Sequence, residues 1–185
     1  MSQLSLPFRG DYDITQLFGE RPWVYAQFTA SYCPPGTTLA GHNGVDYGVP
    51  SGTPLLSIDD GVILAVSHSD QGYGHHVFIR HDWGESVYAH MSRIYVTVGQ
   101  SVLAGEEIGL SGYTGFVEPA GPNGAHLHFG IRPHGTNRCN DFFGYVDPLP
   151  YLFGASANGG TATSFTVGAA PLILIAGIVL FIAIK

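Results

Sequence analysis

The sequence predicts a mostly β fold: an antiparallel β-sheet domain with short loops, followed by one C-terminal transmembrane helix. Three observations lead there. Glycine (26) and proline (12) punctuate the 185 residues densely, while aromatics reach 12% and charged residues only 11%. Before the C-terminus no run of any length carries the helical apolar period. Short stretches instead alternate apolar and polar residues between glycines, the pattern of half-buried strands joined by turns. Residues 148–184 contain no charge, and 171–184 are apolar throughout.

Residues 1–37 read as an irregular N-terminal segment packed on the domain, with a short strand expected over 23–29. Cys33-Pro34-Pro35-Gly36 is a turn by composition. Residues 38–153 form the domain. Strands are expected over 52–58, 61–66, 76–80 and 85–90, and Asp59-Asp60-Gly61 between the first two reads as a tight hairpin turn. Residues 96–112 continue the alternation, 113–124 make a long loop, and the strand that carries His126-Leu127-His128 follows. Asp147-Pro148-Leu149-Pro150 closes the domain. Residues 154–164, rich in Gly, Ser, Thr and Ala, are a flexible tether.

The apolar stretch from Phe165 to Ile184 is 20 residues long, enough to cross a hydrocarbon core of about 30 Å. Residues 165–185 are therefore expected to anchor the chain in a lipid bilayer. Lys185 alone flanks the stretch and leaves the topology open. The start of the chain lacks a basic region followed by an apolar one, so no secretory signal is expected. A net charge of −7 provides no basic stripe and excludes nucleic-acid binding by phosphate neutralisation. Cys33 and Cys139 are too few and too far apart for a zinc finger. They read either as one disulfide or as two independent thiols.

The chemistry centres on His126-Leu127-His128. In a strand both imidazoles project from one face while Leu127 and Phe129 point to the core, an arrangement suited to a transition metal or to acid–base work. A catalytic zinc site takes three protein ligands and leaves a fourth position open, so partners are needed. His42 and Asp46 offer an imidazole and a carboxylate four residues apart. Gly44, Gly48 and Pro50 disfavour a helix there, which leaves a bent strand or loop to turn both side chains to one side. His90 stands at the end of a strand. His75 and His76 face opposite ways in a strand and read as ordinary strand residues, with a cleft-lining place for one of them as the lesser alternative; His68, His81 and His134 read as surface residues and Glu106 and Glu107 as solvated charges. Tyr113, in the loop before the paired histidines, is a candidate contact for substrate or oxyanion.

His42-x-x-x-Asp46, Tyr88-Ala89-His90-Met91-Ser92 and His126-Leu127-His128, in that order, resemble the signature elements of the lysostaphin-type (LytM-like) zinc metallopeptidases, which are peptidoglycan endopeptidases. Gly52-Thr53-Pro54, Asp60-Gly61-Val62, Val98-Gly99-Gln100 and Ser111-Gly112-x-Thr114-Gly115 resemble that family's connecting turns, and the likeness spans residues 38–133. By position it implies His42, Asp46 and His128 as ligands of one Zn2+ per chain, with His90 and His126 as the catalytic pair. His126 is assigned as general base. His90 would orient the water or steady the oxyanion, and on sequence alone these roles can be exchanged. Two departures stand out: Asn123-Gly124-Ala125 precedes His126 where the family often has a proline, and the loop 116–122 is long enough to reshape the groove.

The resemblance implies hydrolysis of peptide cross-links in bacterial peptidoglycan. Together with the tether and the apolar tail, it leads to the expectation of a membrane-anchored lytic enzyme of a phage particle, acting beside other virion proteins in cell-wall penetration. A bacterial tail-anchored wall hydrolase is the second setting. Two other readings use the same residues. One is a non-catalytic, membrane-tethered peptidoglycan-binding or structural module. The other is a purely structural zinc site, which would need a fourth protein ligand.

Overall fold

The computed structural model describes residues 4–154. In chain order the elements are β1 (Ile14–Gln16), α1 (Pro22–Tyr25), β2 (Val45–Tyr47), β3 (Pro54–Leu56), β4 (Gly61–His68), β5 (His75–His81), β6 (Gly84–Tyr88), β7 (Arg93–Ile94), β8 (Ser101–Val102), β9 (Glu107–Leu110), β10 (Leu127–Pro133) and α2 (Leu149–Phe153). Seven strands make one sheet in the order β1-β2-β10-β6-β5-β4-β8, and β3-β9-β7 make a second. Every pairing is antiparallel. The mostly β architecture is therefore the observed one. The tether and the apolar run over 165–185 lie outside the described residues.

Period-two alternation sorts the strands' faces. On β10, Leu127, Phe129 and Ile131 are fully buried and share one cluster with Val77 and Ile79 of β5, Leu55 of β3 and Ile108 of β9. Each such side chain contributes roughly 1.5–3 kcal/mol by leaving water, so the core between the two sheets fixes the register of β10. The opposite face of the large sheet is covered differently. There Leu39, Val87, Phe143 and Tyr145 form a second cluster, against which Phe18, Tyr25 and Phe28 pack. The N-terminal segment thus roofs one face of the sheet. A disulfide between Cys33 and Cys139 ties it to the turn after β10, with Cα atoms 5.4 Å apart.

Three local expectations are corrected. Residues 23–29 begin in α1 rather than in a strand, because Pro22 occupies the first helical turn, where its fixed φ and missing N–H suit a helix start. Asp59-Asp60-Gly61 is not a hairpin, since β3 pairs with β9 in the small sheet and β4 with β5 in the large one. None of its residues has the positive φ that a tight hairpin turn requires. Its carboxylates instead accept from the Trp83 indole and the Ala104 amide, pinning a crossing between sheets. His81 is buried rather than exposed; it lies between the Asp60 carbonyl and the Ser86 hydroxyl at 2.8 Å each and stacks on Trp83.

Candidate metal centre and cleft

β2 and β10 are neighbours with Asp46 directly opposite His128. Their side chains therefore meet on the roofed face of the sheet, and His126, two residues before His128, joins them. His42 lies in the bend before β2. It is held by backbone bonds to residues 19 and 20, from His42 N–H to the Glu20 carbonyl (2.9 Å) and from Gly19 N–H to the His42 carbonyl (2.8 Å). The approach is so close that a side chain at Gly41 would collide with the Gly19 carbonyl. Gly44 gives the His128 ring its place: a Cβ there would stand 2.7–2.8 Å from the imidazole.

His42, Asp46 and His128 are all buried, and their donor atoms converge. His42 Nε2 and His128 Nδ1 each lie 3.0 Å from Asp46 Oδ1 and 2.8 Å from each other. His42 Nδ1 lies 3.1 Å from the Leu17 carbonyl, a bond that only the Nδ1–H form can donate. The Nε2 lone pair is thereby turned toward the carboxylate. Lone pairs from two nitrogens and a carboxylate oxygen aimed at one point fit a cation. The donor set is that of a borderline-soft transition metal, and the Leu17 carbonyl is the outer partner such a histidine needs.

Electrostatics agree with the geometry. Burial works against the Asp46 carboxylate, but its bonds to His128 and His42 and their positive potential hold it well below the usual range. Burial lowers His128 to about 4, and the proximity of His42 adds to this against the pull of Asp46. Burial, with His126 and His128 nearby, lowers His90 to about 3.

His90 and His126 flank this group, with their rings 4.5 Å apart. His90 follows β6 in a left-handed conformation (φ 59°) that turns it out of the strand. Its Nδ1 lies 2.8 Å from the Thr114 carbonyl, and His126 Nδ1 lies 2.7 Å from the Gly124 carbonyl. With Nδ1–H donated in this way, a neutral ring keeps its lone pair on Nε2, and His126 Nε2 is 3.7 Å from Asp46 Oδ2. The structure thus brings together all five residues singled out in the sequence. Of the other histidines, His76 lines the cleft, while His68 and His134 are exposed. Glu106 is half-buried and accepts from the Leu103 amide.

The cleft holds about 840 Å³ and is floored by His90, His126 and His128, with Tyr25, Phe28 and Tyr32 of the N-terminal segment as its roof. Arg21 and Glu118 pair at 2.9 Å and tie the roof to the loop before β10. Tyr113 does not line the cleft; Tyr73 does, stacking on His128 with ring centroids 5.0 Å apart. The Tyr73 phenol oxygen accepts from the buried Asn43 amide at 2.7 Å, and Tyr25 packs on the His42 ring. Sequence reading missed Tyr25, Tyr73 and Asn43. The only signal was Tyr73's place between Gly72 and Gly74.

Residues 40–140 match the family model described as Peptidase family M23. The chain is 38% identical over 107 residues to the peptidoglycan DD-endopeptidase ShyA of Vibrio cholerae, covering 55% of this chain and 24% of that one. Among solved structures, a zinc-containing peptidase from Vibrio cholerae superposes with a TM-score of 0.57 at 27% identity, covering 80% of this chain and 39% of the other. A variant of the catalytic domain of EnpA, a prophage-encoded M23 protein from Enterococcus faecalis, gives 0.57 at 29% identity, covering 80% and 96%. The chain spans between 23% and 48% of the length of the first curated relatives.

Proposed function

The chain belongs to peptidase family M23, and from that premise we propose that it is a zinc-dependent endopeptidase hydrolysing peptide cross-links of bacterial peptidoglycan. The observation that carries this reading is the convergence of His42, Asp46 and His128 beside the His90 and His126 imidazoles, with all but the fully buried His42 lining a peptide-sized cleft. Similarity to a DD-endopeptidase supports the substrate class, and similarity to a zinc-containing peptidase supports the metal.

A Zn2+ held by His42, Asp46 and His128 would supply Lewis acidity to the scissile carbonyl and to the attacking water. The chain's own residues handle the proton. His126 Nε2 accepts it from the water, with the ring held in the required tautomer by the Gly124 carbonyl. His90, kept neutral by burial, presents Nε2 as an acceptor and so orients the water rather than donating to the oxyanion. The proton on His126 then passes to the leaving amine.

The test is digestion of purified peptidoglycan, with fragments identified by mass. Release should stop with a chelator, return with zinc, and be lost in His126→Ala. Walls bound but never cut would move the reading to a non-catalytic module. We further propose that residues 165–185 anchor the enzyme in a bilayer, on the strength of their composition alone. The setting proposed for it is a phage particle, supported by the likeness to a prophage-encoded catalytic domain. Absence of the protein from membrane fractions and from purified virions would end those two proposals.

A further inference from the structure

Beyond the metal donors, the period of β10 continues along the cleft floor. His126, His128, Gly130 and Arg132 share one face, which puts Arg132 about 13 Å from His128 along an extended strand. Arg132 lines the cleft together with Arg138, Tyr32, Phe143 and Tyr145. Its guanidinium lies 5.2 Å from the centroid of the Tyr145 ring. Two glycines make the room: a Cβ at Gly130 would press on Tyr145 at 3.0 Å, and one at Gly144 on Arg132 Cδ at 2.9 Å.

The charges in this arm do not balance. Arg132 donates from Nε and Nη2 to Glu85 Oε2, and Arg138 donates from Nη2 to Glu85 Oε1 at 2.5 Å. One carboxylate thus serves two guanidiniums. Of the other charged side chains that line the cleft, Arg21 pairs with Glu118, and Asp46 sits with His42 and His128 in the donor group. One positive charge is left over, on a pair of which Arg132 is 10% and Arg138 54% exposed. Each guanidinium has five N–H donors, and Arg132 donates once more, from Nη1 to the Phe143 carbonyl. N–H groups on both are therefore available to a ligand oxygen, and the guanidinium fork suits a carboxylate.

We propose that this arm is a carboxylate subsite, in which Arg132 and Arg138 together bind an ionised carboxylate of the peptide substrate about four extended residues from the scissile bond. The proposal deepens the peptidase reading and takes its substrate class from it. Glu85 sets the strength of the subsite by holding both guanidiniums in place while cancelling only one of them.

The experiment measures binding, separately from cleavage, on the full-length zinc-loaded chain carrying His126→Ala. The probes are soluble muropeptides from purified walls, used native, with all carboxylates converted to amides, and amidated at the C-terminus alone. Full amidation should weaken binding about tenfold, the scale of one charge-assisted hydrogen bond. In Arg138→Gln, whose side chain is largely exposed, native and amidated probes should bind nearly alike. The C-terminally amidated set assigns a terminal carboxylate if it binds weakly and a side-chain carboxylate if it binds well, either being the proposed chemistry. Equal binding of native and amidated probes by the parent overturns the subsite, as does full discrimination retained in Arg138→Gln. Discrimination in this binding assay, together with no cross-link cleavage by the chain that keeps His126, would sink the hydrolase reading and leave the subsite standing.

Discussion

Gly44→Ala tests the metal centre without touching a donor atom. The backbone at Gly44 is not in the positive-φ region, so alanine is conformationally admissible and the effect must come from packing. The new methyl would stand 2.7 Å from His128 Cε1, 2.8 Å from Nε2 and 2.6 Å from the Phe129 carbonyl oxygen. Carbon contacts are comfortable at about 3.5–4.0 Å, so the ring must retreat by roughly 0.8 Å. The Phe129 backbone has little freedom to yield, because it is paired with both β2 and β6. A zinc ligand tolerates only about 0.2 Å of error in its bond. The displaced Nδ1 therefore falls outside bonding distance, and zinc affinity should drop by about 100-fold. Overpacking should cost about 1–3 kcal/mol of stability besides. Competition against a chromogenic chelator reads the affinity. Thermal unfolding with and without chelator gives a second measure, since zinc should raise the parent's midpoint and leave the variant's nearly unmoved. A variant that binds zinc as tightly as the parent would refute the assignment of His128 as a ligand in this geometry.

Four further outcomes are expected. Replacing Cys33 and Cys139 together by serine releases a loop closed across 106 residues and should lower unfolding stability by about 2–4 kcal/mol; urea titration measures this, and an unchanged midpoint counts against it. In limited proteolysis the same variant should be cut first within residues 21–39, the roof of the cleft. Burial lowers the His81 imidazole below its ordinary 6.5, so the unfolded chain takes up the proton first as pH falls. The stability linked to His81 is thus complete above about pH 6.5 and is lost below it. The parent's melting temperature should fall more steeply from about pH 7 to 5 than that of His81→Gln, and parallel curves would refute this. Tyr73→Phe removes the acceptor of the buried Asn43 amide and should cost about 1–3 kcal/mol in denaturant unfolding.

The histidine strand was legible because alternation is a local property: Leu127 and Phe129 declare the core face, and the imidazoles follow on the other. The bent stretch from His42 to Asp46 was legible through the glycines that forbid a helix there. What escaped reading depends on contacts between distant segments. Nothing near Asp59 reveals that β3 and β4 belong to different sheets, and nothing near His81 announces Trp83 and Ser86 as its walls. The cleft roof was taken for a strand because Trp23, Val24 and Tyr25 have strand-like side chains, although Pro22 before them carried the opposing signal. Glu85 and Arg132 owe their places to the cross-strand register, and Tyr73 to a turn whose carbonyl accepts from the His90 amide; no spacing along the chain encodes either.

The pairing of Asp46 with His128 has one more consequence. These two donors are 82 positions apart in the chain and become neighbours only when the second strand closes against the last. A nascent or denatured polypeptide consequently possesses no assembled centre, however much zinc surrounds it. The three donor atoms therefore come together only with sheet closure, and on the proposed reading the chain would be inert toward walls until that moment.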